Sequence, residues 1–169
     1  GVTSPDRLHD LLLRLGDLSP EEAAARVRPL PEGDAAAAAD AWFGALARER
    51  RAIRIRVAGE ERWVAAEDAG RLRDALGIAP PPGLPDAFLE GQPHALREVV
   101  SRYARTHGPF TPIDVARRYA TGEAPVLAAL AELLKDGRLR EGEFWPGGHG
   151  RVGGGADGLA TLRRRSPRR

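Results

Sequence analysis

The chain has 169 residues, 26 of them Lys or Arg and 24 Asp or Glu, so it is one generous domain or two small ones with a net charge of only +2. Hydrophobic residues at 42% argue against disorder throughout, and no stretch approaches the roughly 18 consecutive apolar residues that a membrane span requires. Cysteine is absent, which excludes disulfides and thiolate metal sites; nothing resembles a secretory leader, and a cytoplasmic setting is the default expectation.

Of the 26 cationic residues 25 are Arg, Lys135 being the exception; Asn and Met are absent and Gln92 is the only Gln. The missing Met implies that Gly1 is not a natural start, so the expectation is a piece cut from a longer protein. Such a piece can lack the catalytic part of its parent. Charge is unevenly spread: residues 1–89 carry 12 Arg and 15 acids, a balance of −3, and residues 90–169 carry 13 Arg, one Lys and nine acids, a balance of +5.

The first predicted element is a helix capped by Ser4 with Pro5 at its first position, carrying Leu8, Leu11, Leu12 and Leu15 on one stripe and ending at Gly16. Ser19-Pro20-Glu21-Glu22 reads as a capping box that opens a second helix running to about Arg28. A third helix spans roughly Asp34 to Arg50 with Trp42, Phe43 and Leu46 inward. Ile53, Ile55 and Val57 then alternate with Arg54 and Arg56, a strand pattern; Ala58-Gly59 turns, and a return strand carries Trp63. A fourth helix runs from Glu67 to Leu76 and closes on Gly77. Pro80, Pro81, Pro82, Gly83, Pro85 and Pro93 then mark a stiff boundary segment, in which Leu84 and Phe88 suggest packing against a domain.

The second half repeats the plan. Leu96, Val99, Val100 and Tyr103 form a stripe, Thr111-Pro112-Ile113-Asp114 is another capping box, and a helix from about Glu123 to Asp136 turns Val126, Leu127, Leu130, Leu133 and Leu134 inward. A short hairpin follows around Gly142, then a Gly-rich run over 147–155 and an arginine tail. The segment Gly16 to Val27 aligns directly on Gly108 to Tyr119: Gly, an apolar residue, Ser/Thr-Pro, an acid, Arg and a final apolar residue coincide. Three helices and a two-stranded wing, repeated, give the expected fold: α+β, mainly α, two tandem winged-helix domains of the helix-turn-helix type. The expected boundaries are 1–78 for the first domain, 79–95 for a Pro-rich linker, 96–152 for the second domain and 153–169 for a Gly/Arg-rich tail.

Arginine neutralises phosphate, so the +5 half points to nucleic acid. The third helix of the second half is a poor groove reader: its outward residues include Glu123, Ala128, Ala131, Glu132 and Lys135, and two acids and several alanines there would repel phosphate or pack on protein where base readout wants Arg, Asn, Gln or Lys. The wing offers Arg138, Arg140, Trp145, His149 and Arg151, cations interleaved with aromatics, which suits single strands or duplex ends. A Trp145 buried against the first helix, and a merely solvated tail at Arg163, Arg164 and Arg165, are the competing readings. The Gly-rich run lacks the Gly-Lys-Ser/Thr of a phosphate loop. His9, His94, His107 and His149 are scattered, so no metal site is expected, and no nucleophile-base order stands out. The acid pairs Glu21/Glu22 and Glu60/Glu61 read as solvated faces.

The run from Trp63 to Gly77, with Gly83-Leu84-Pro85-Asp86-Ala87-Phe88-Leu89 after it, resembles the C-terminal half of bacterial large helicase-related (Lhr) proteins. So do the blocks Tyr103 to Thr111 and Glu141 to Gly148 and the run Arg163 to Ser166. The resemblance implies a parent that is an ATP-dependent, DNA-repair-associated translocase. Its motor of RecA-like domains would lie elsewhere, and its C-terminal region of winged helices and a β-barrel would be similar to winged-helix DNA glycosylases. No Walker motif stands in this sequence, and Gln92 alone cannot supply the Gln-x-Gln of the alkylpurine glycosylases, so no catalytic residue transfers.

The resulting expectation is an accessory module that contacts DNA weakly, as a single strand or a duplex end, or positions neighbouring domains of the helicase. Its contacts would be Arg117, Arg118, Arg138, Arg140, Trp145, Arg151, Arg163, Arg164 and Arg165. No cofactor is expected in the fragment itself, ATP and Mg being implied for the full-length helicase, and no membrane partner is expected. The alternatives are a protein–protein scaffold in the same helicase, suggested by the Ala-rich third helices, and a part of a winged-helix DNA glycosylase.

Overall fold

The computed structural model describes residues 1–28 and 33–139 and divides into two compact units, Gly1–Ala95 and Leu96 onward. In the first, α1 (Pro5–Leu15) starts because the Ser4 hydroxyl accepts from the Arg7 amide at 3.2 Å and ends because Gly16 adopts a positive φ. Leu8, Leu11 and Leu12 are buried on its inner face. A full capping box opens α2 (Pro20–Ala24): the Glu22 amide donates to the Ser19 hydroxyl at 3.1 Å, and the Ser19 amide donates to Glu22 Oε1 at 2.9 Å. Glu22 is thus a structural acceptor, while Glu21 is the solvated member of that acid pair.

The second helix is shorter than its sequence suggests. It stops at Ala24 because Val27 is drawn into a parallel bridge with Val2, whose amide donates to Arg26 O and whose carbonyl accepts from Arg28 N, both at 2.8 Å. α3 (Ala35–Arg48) is capped by Asp34 and buries Ala39, Phe43 and Leu46; Trp42 is only half-buried against the same core. It ends two residues earlier than expected, with Arg50 in a left-handed conformation and the Arg51 amide donating back to Leu46 O at 2.8 Å.

β1 (Ala52–Val57) and β2 (Glu60–Ala65) pair antiparallel, Ala52 opposite Ala65 and Val57 opposite Glu60. Ala58 and Gly59 both carry positive φ, the geometry of a tight two-residue hairpin turn. A third rung comes from the loop before α2: the Leu18 amide donates to Trp63 O at 3.0 Å and the Trp63 amide to Leu18 O at 2.8 Å. β2 therefore lies centrally, and Arg62 to Ala65 are all buried. Ile55 and Val57 are buried and Arg54 and Arg56 exposed, as the alternation implies. Trp63, Ala52 and Ala65 on the opposite face join α1 and α3 in the core, with Trp63 stacked on Phe43 at 4.7 Å.

After a 3-10 turn (Ala66–Asp68), α4 (Ala69–Leu76) begins slightly later than the expected Glu67 and ends on left-handed Gly77. The proline-rich stretch folds onto this unit. Leu84 packs with Ala66 and Ala69, and Ile53, Phe88 and Leu89 lie against them. Gly70 leaves room for the returning chain: a Cβ there would stand 2.7 Å from Glu90 O and 2.8 Å from Phe88 O. The Gln92 amide donates to Asp74 Oδ2 at 2.8 Å, and the Arg50 guanidinium to Gly83 O at 2.8 Å.

The second unit holds α5 (Ala95–Thr106), α6 (Pro112–Tyr119) and α7 (Glu123–Lys135). Val99, Val100, Tyr103, Phe110, Val115, Tyr119, Val126, Leu130 and Leu133 are buried, while Leu96, Leu127 and Leu134 are half-buried. A second capping box stands where the sequence alignment places it: the Asp114 amide donates to Thr111 Oγ1 at 3.3 Å and the Thr111 amide to Asp114 Oδ2 at 2.8 Å. The hairpin expected around Gly142, the Gly-rich run and the arginine tail lie outside the described residues.

Candidate nucleic-acid interface

Of the residues singled out from sequence, Arg117, Arg118 and Arg138 fall among the described ones; Arg140, Trp145, Arg151, Arg163, Arg164 and Arg165 do not. Arg117 and Arg118 occupy the last turn of α6, where a cation is favoured by the helix dipole. Arg117 is exposed. Arg118 is half-buried, its guanidinium 5.8 Å from the ring centres of both Tyr103 and Tyr119. The same aromatic group holds His107, stacked on Tyr103 at 3.8 Å, and Phe110, edge-on to Tyr103 at 5.1 Å.

Arg138 follows left-handed Gly137 and turns back onto α5. Its two terminal nitrogens donate to Glu98 at 2.8 and 3.3 Å, and one also donates to Ser101 Oγ at 2.8 Å. The hydrogen bond to Glu98 raises its pKa further above the ordinary arginine value, against the opposing pull of burial. Arg97 beside it lies 3.5 Å from both Glu132 and Asp136. Two guanidiniums thus meet three carboxylates across α5 and α7. This cluster clamps two helices, and its excess of acid makes it a poor landing place for phosphate. The sequence could not show this, because Glu98 lies 40 residues before Arg138.

The third helices expose little that reads a base. On α3 the outward positions include Ala36, Ala37, Asp40, Ala41 and Ala47, with Arg48 at the end; on α7 they include Ala124, Ala128, Ala131, Glu132 and Lys135. On the first wing Arg54 donates to Glu61 at 2.9 Å and lies 5.5 Å from the centre of Trp63, while Arg56 is exposed. Trp63 itself is 7% exposed, so the aromatic of this wing is a core residue rather than a stacking platform.

A set that sequence reasoning passed over lies in the first unit. A groove of about 900 Å³ runs between α1 and the Ala25–Arg28 segment, with Arg7 and Arg14 on one wall and Arg26 and Arg28 on the other. The i, i+7 spacing of Arg7 and Arg14 is the only local signal; the second wall exists because Val27 pairs with Val2. Among the described residues no group of three or more His, Cys, Asp or Glu could hold a metal, and no helix is long and apolar enough to cross a membrane.

Three helices followed by a hairpin whose return strand pairs with the loop before α2 define a helix-turn-helix unit of the winged type. Comparison with known families agrees: residues 1–91 match the winged-helix domain of the large helicase-related protein. Over 157 residues the chain is 38% identical to an Lhr helicase/probable uracil glycosylase of Mycolicibacterium smegmatis, covering 93% of this chain and 10% of that protein. Over 130 residues it is 33% identical to an Lhr helicase/uracil glycosylase of Escherichia coli, covering 77% of this chain and 8% of that protein. The chain belongs to the large helicase-related (Lhr) family and spans about a tenth of the length of these relatives.

Proposed function

We propose that this chain is an accessory module of an Lhr-type helicase engaged in DNA repair, contacting DNA through phosphate without reading sequence. The observation that carries the reading is the composition of the two third helices. Both are built as in a groove-reading fold, yet both expose alanine and acids where base recognition wants Arg, Asn or Gln. Cations stand elsewhere: Arg117 and Arg118 at the end of α6, and Arg140, Trp145, Arg151 and Arg163, Arg164 and Arg165 further along the chain. Arg138 ties the chain that follows α7 to Glu98 on α5. ATP and Mg would serve the motor of the whole helicase.

Fluorescence anisotropy with labelled single-stranded and duplex oligonucleotides at low and physiological salt tests the reading. Binding that weakens steeply with salt and varies little with sequence is expected. Absence of binding to either DNA at low salt rejects it.

A second reading, a protein–protein scaffold within the same helicase, is favoured by the exposed Ala36, Ala37 and Ala41 of α3 and Ala124, Ala128 and Ala131 of α7. Small side chains let another helix approach closely. Self-association in sedimentation without DNA would support it.

A further inference from the structure

We propose that the groove between α1 and the Ala25–Arg28 segment holds the sugar–phosphate backbone of a single nucleic-acid strand, with Arg7 and Arg28 as phosphate ligands on its two walls. The inference rests on the nucleic-acid reading above but places the contact in the first, acidic unit, away from the third helix and the wing. Residues 1–89 carry three more acids than arginines, and five of the 12 arginines there are held by carboxylates. Arg51, Arg54, Arg62, Arg71 and Arg73 each pair with a carboxylate. Arg7 and Arg28 are exposed and form no ion pair with any described residue.

Their neighbours extend the same charge. Arg14 lies two helical turns beyond Arg7, about 10 Å along the axis at 1.5 Å per residue. Arg26, also lining the groove, donates one guanidinium nitrogen to Glu22 O at 2.7 Å. Among the described residues that line the groove Asp10 is the one carboxylate, and it forms no ion pair with Arg7, Arg26 or Arg28. The floor is apolar, formed by Leu11, Leu15, Val2 and Val27. Two cationic walls over an apolar floor match a strand whose charged phosphates flank less polar sugars and bases. The alternative face also holds two exposed arginines without an ion pair to a described residue, Arg48 and Arg56, but α3 sets Asp40 among alanines there and Arg54 of the wing is already committed to Glu61.

The test uses the full 169-residue chain and a labelled oligothymidylate, with affinity read by anisotropy across a salt series. R7E/R28E should weaken binding by about tenfold or more, and the slope of log affinity against log salt should shrink by about 1.4, two single-strand phosphate contacts at about 0.7 each. R7Q/R28Q should fall between this variant and the unaltered chain. R48E/R56E makes the same charge change on the third helix and wing and should alter affinity by less than about threefold, since no phosphate contact is lost there. Circular dichroism and melting temperature establish that each variant is folded. Equal losses in both reversal pairs, or a loss confined to R48E/R56E, overturn the groove and leave the nucleic-acid reading standing. No binding by the unaltered chain at low salt removes both.

Discussion

Trp63 shows how one side chain settles the character of a wing. It stacks on Phe43 with ring planes 5° apart, exchanges two backbone hydrogen bonds with Leu18 and lies under the Arg54 guanidinium. Trp63→Ala should cost about 3–5 kcal/mol in urea unfolding, the usual penalty for emptying a buried aromatic site. Asp74 acts at the surface. Hydrogen bonds from Arg73, then from the Gln92 amide, hold its carboxyl below the ordinary value of 3.8. Its folded-state pKa is depressed, so its contribution is complete above about pH 4 and fades as pH falls through the lowered value. Exchange of the Gln92 amide, followed by NMR down the acid range, should quicken there, and Asp74→Asn should make it fast at neutral pH.

At the scale of elements, what could be read in advance was whatever depends on near neighbours. Ser4, Ser19 and Thr111 announce helix starts because a cap and its partner lie within three residues. The hairpin of β1 and β2 shows itself through alternation and the Ala58-Gly59 turn. What could not be read depends on partners far along the chain. The early end of α2 needs Val2, the clamp on Arg138 needs Glu98, and the arginine-walled groove needs both α1 and the strand-like run after α2. Composition marked the proline-rich stretch as a boundary, whereas its Leu84 and Phe88 place it on Ala66 and Ala69. Gly70 is the point where that packing is tightest. Gly70→Ala must displace backbone carbonyls at 2.7 and 2.8 Å, so a loss of about 1–3 kcal/mol is expected, with faster proteolysis between residues 79 and 90 as the sign that the returning chain has lifted.

Over the whole molecule, the small net charge of +2 conceals two unlike halves: an acidic first half in which the exposed Arg7 and Arg28 line one groove, and a basic second half whose described arginines serve partly as helix clamps. Counting charge therefore pointed to the second half, and only ion pairing revealed which cations remain available. The Gly-rich run has no Gly-Lys-Ser/Thr and so offers ATP no phosphate loop. Adding ATP with Mg to the anisotropy experiment should leave the affinity for DNA unchanged; a shift would reveal a nucleotide site in this chain.

The packed proline stretch also governs where the molecule can be excised. A cut at Gly77 would look natural, since a helix ends there in a left-handed glycine and prolines follow. Such a cut would strip Leu84, Phe88 and Leu89 from Ile53, Ala66 and Ala69 and leave an oily scar beside the wing. It would also take away the acceptor of Arg50 and the backbone that sheathes Gly70. The smallest piece that carries its own wrapping therefore runs past Gln92, where the last stitch to Asp74 is made.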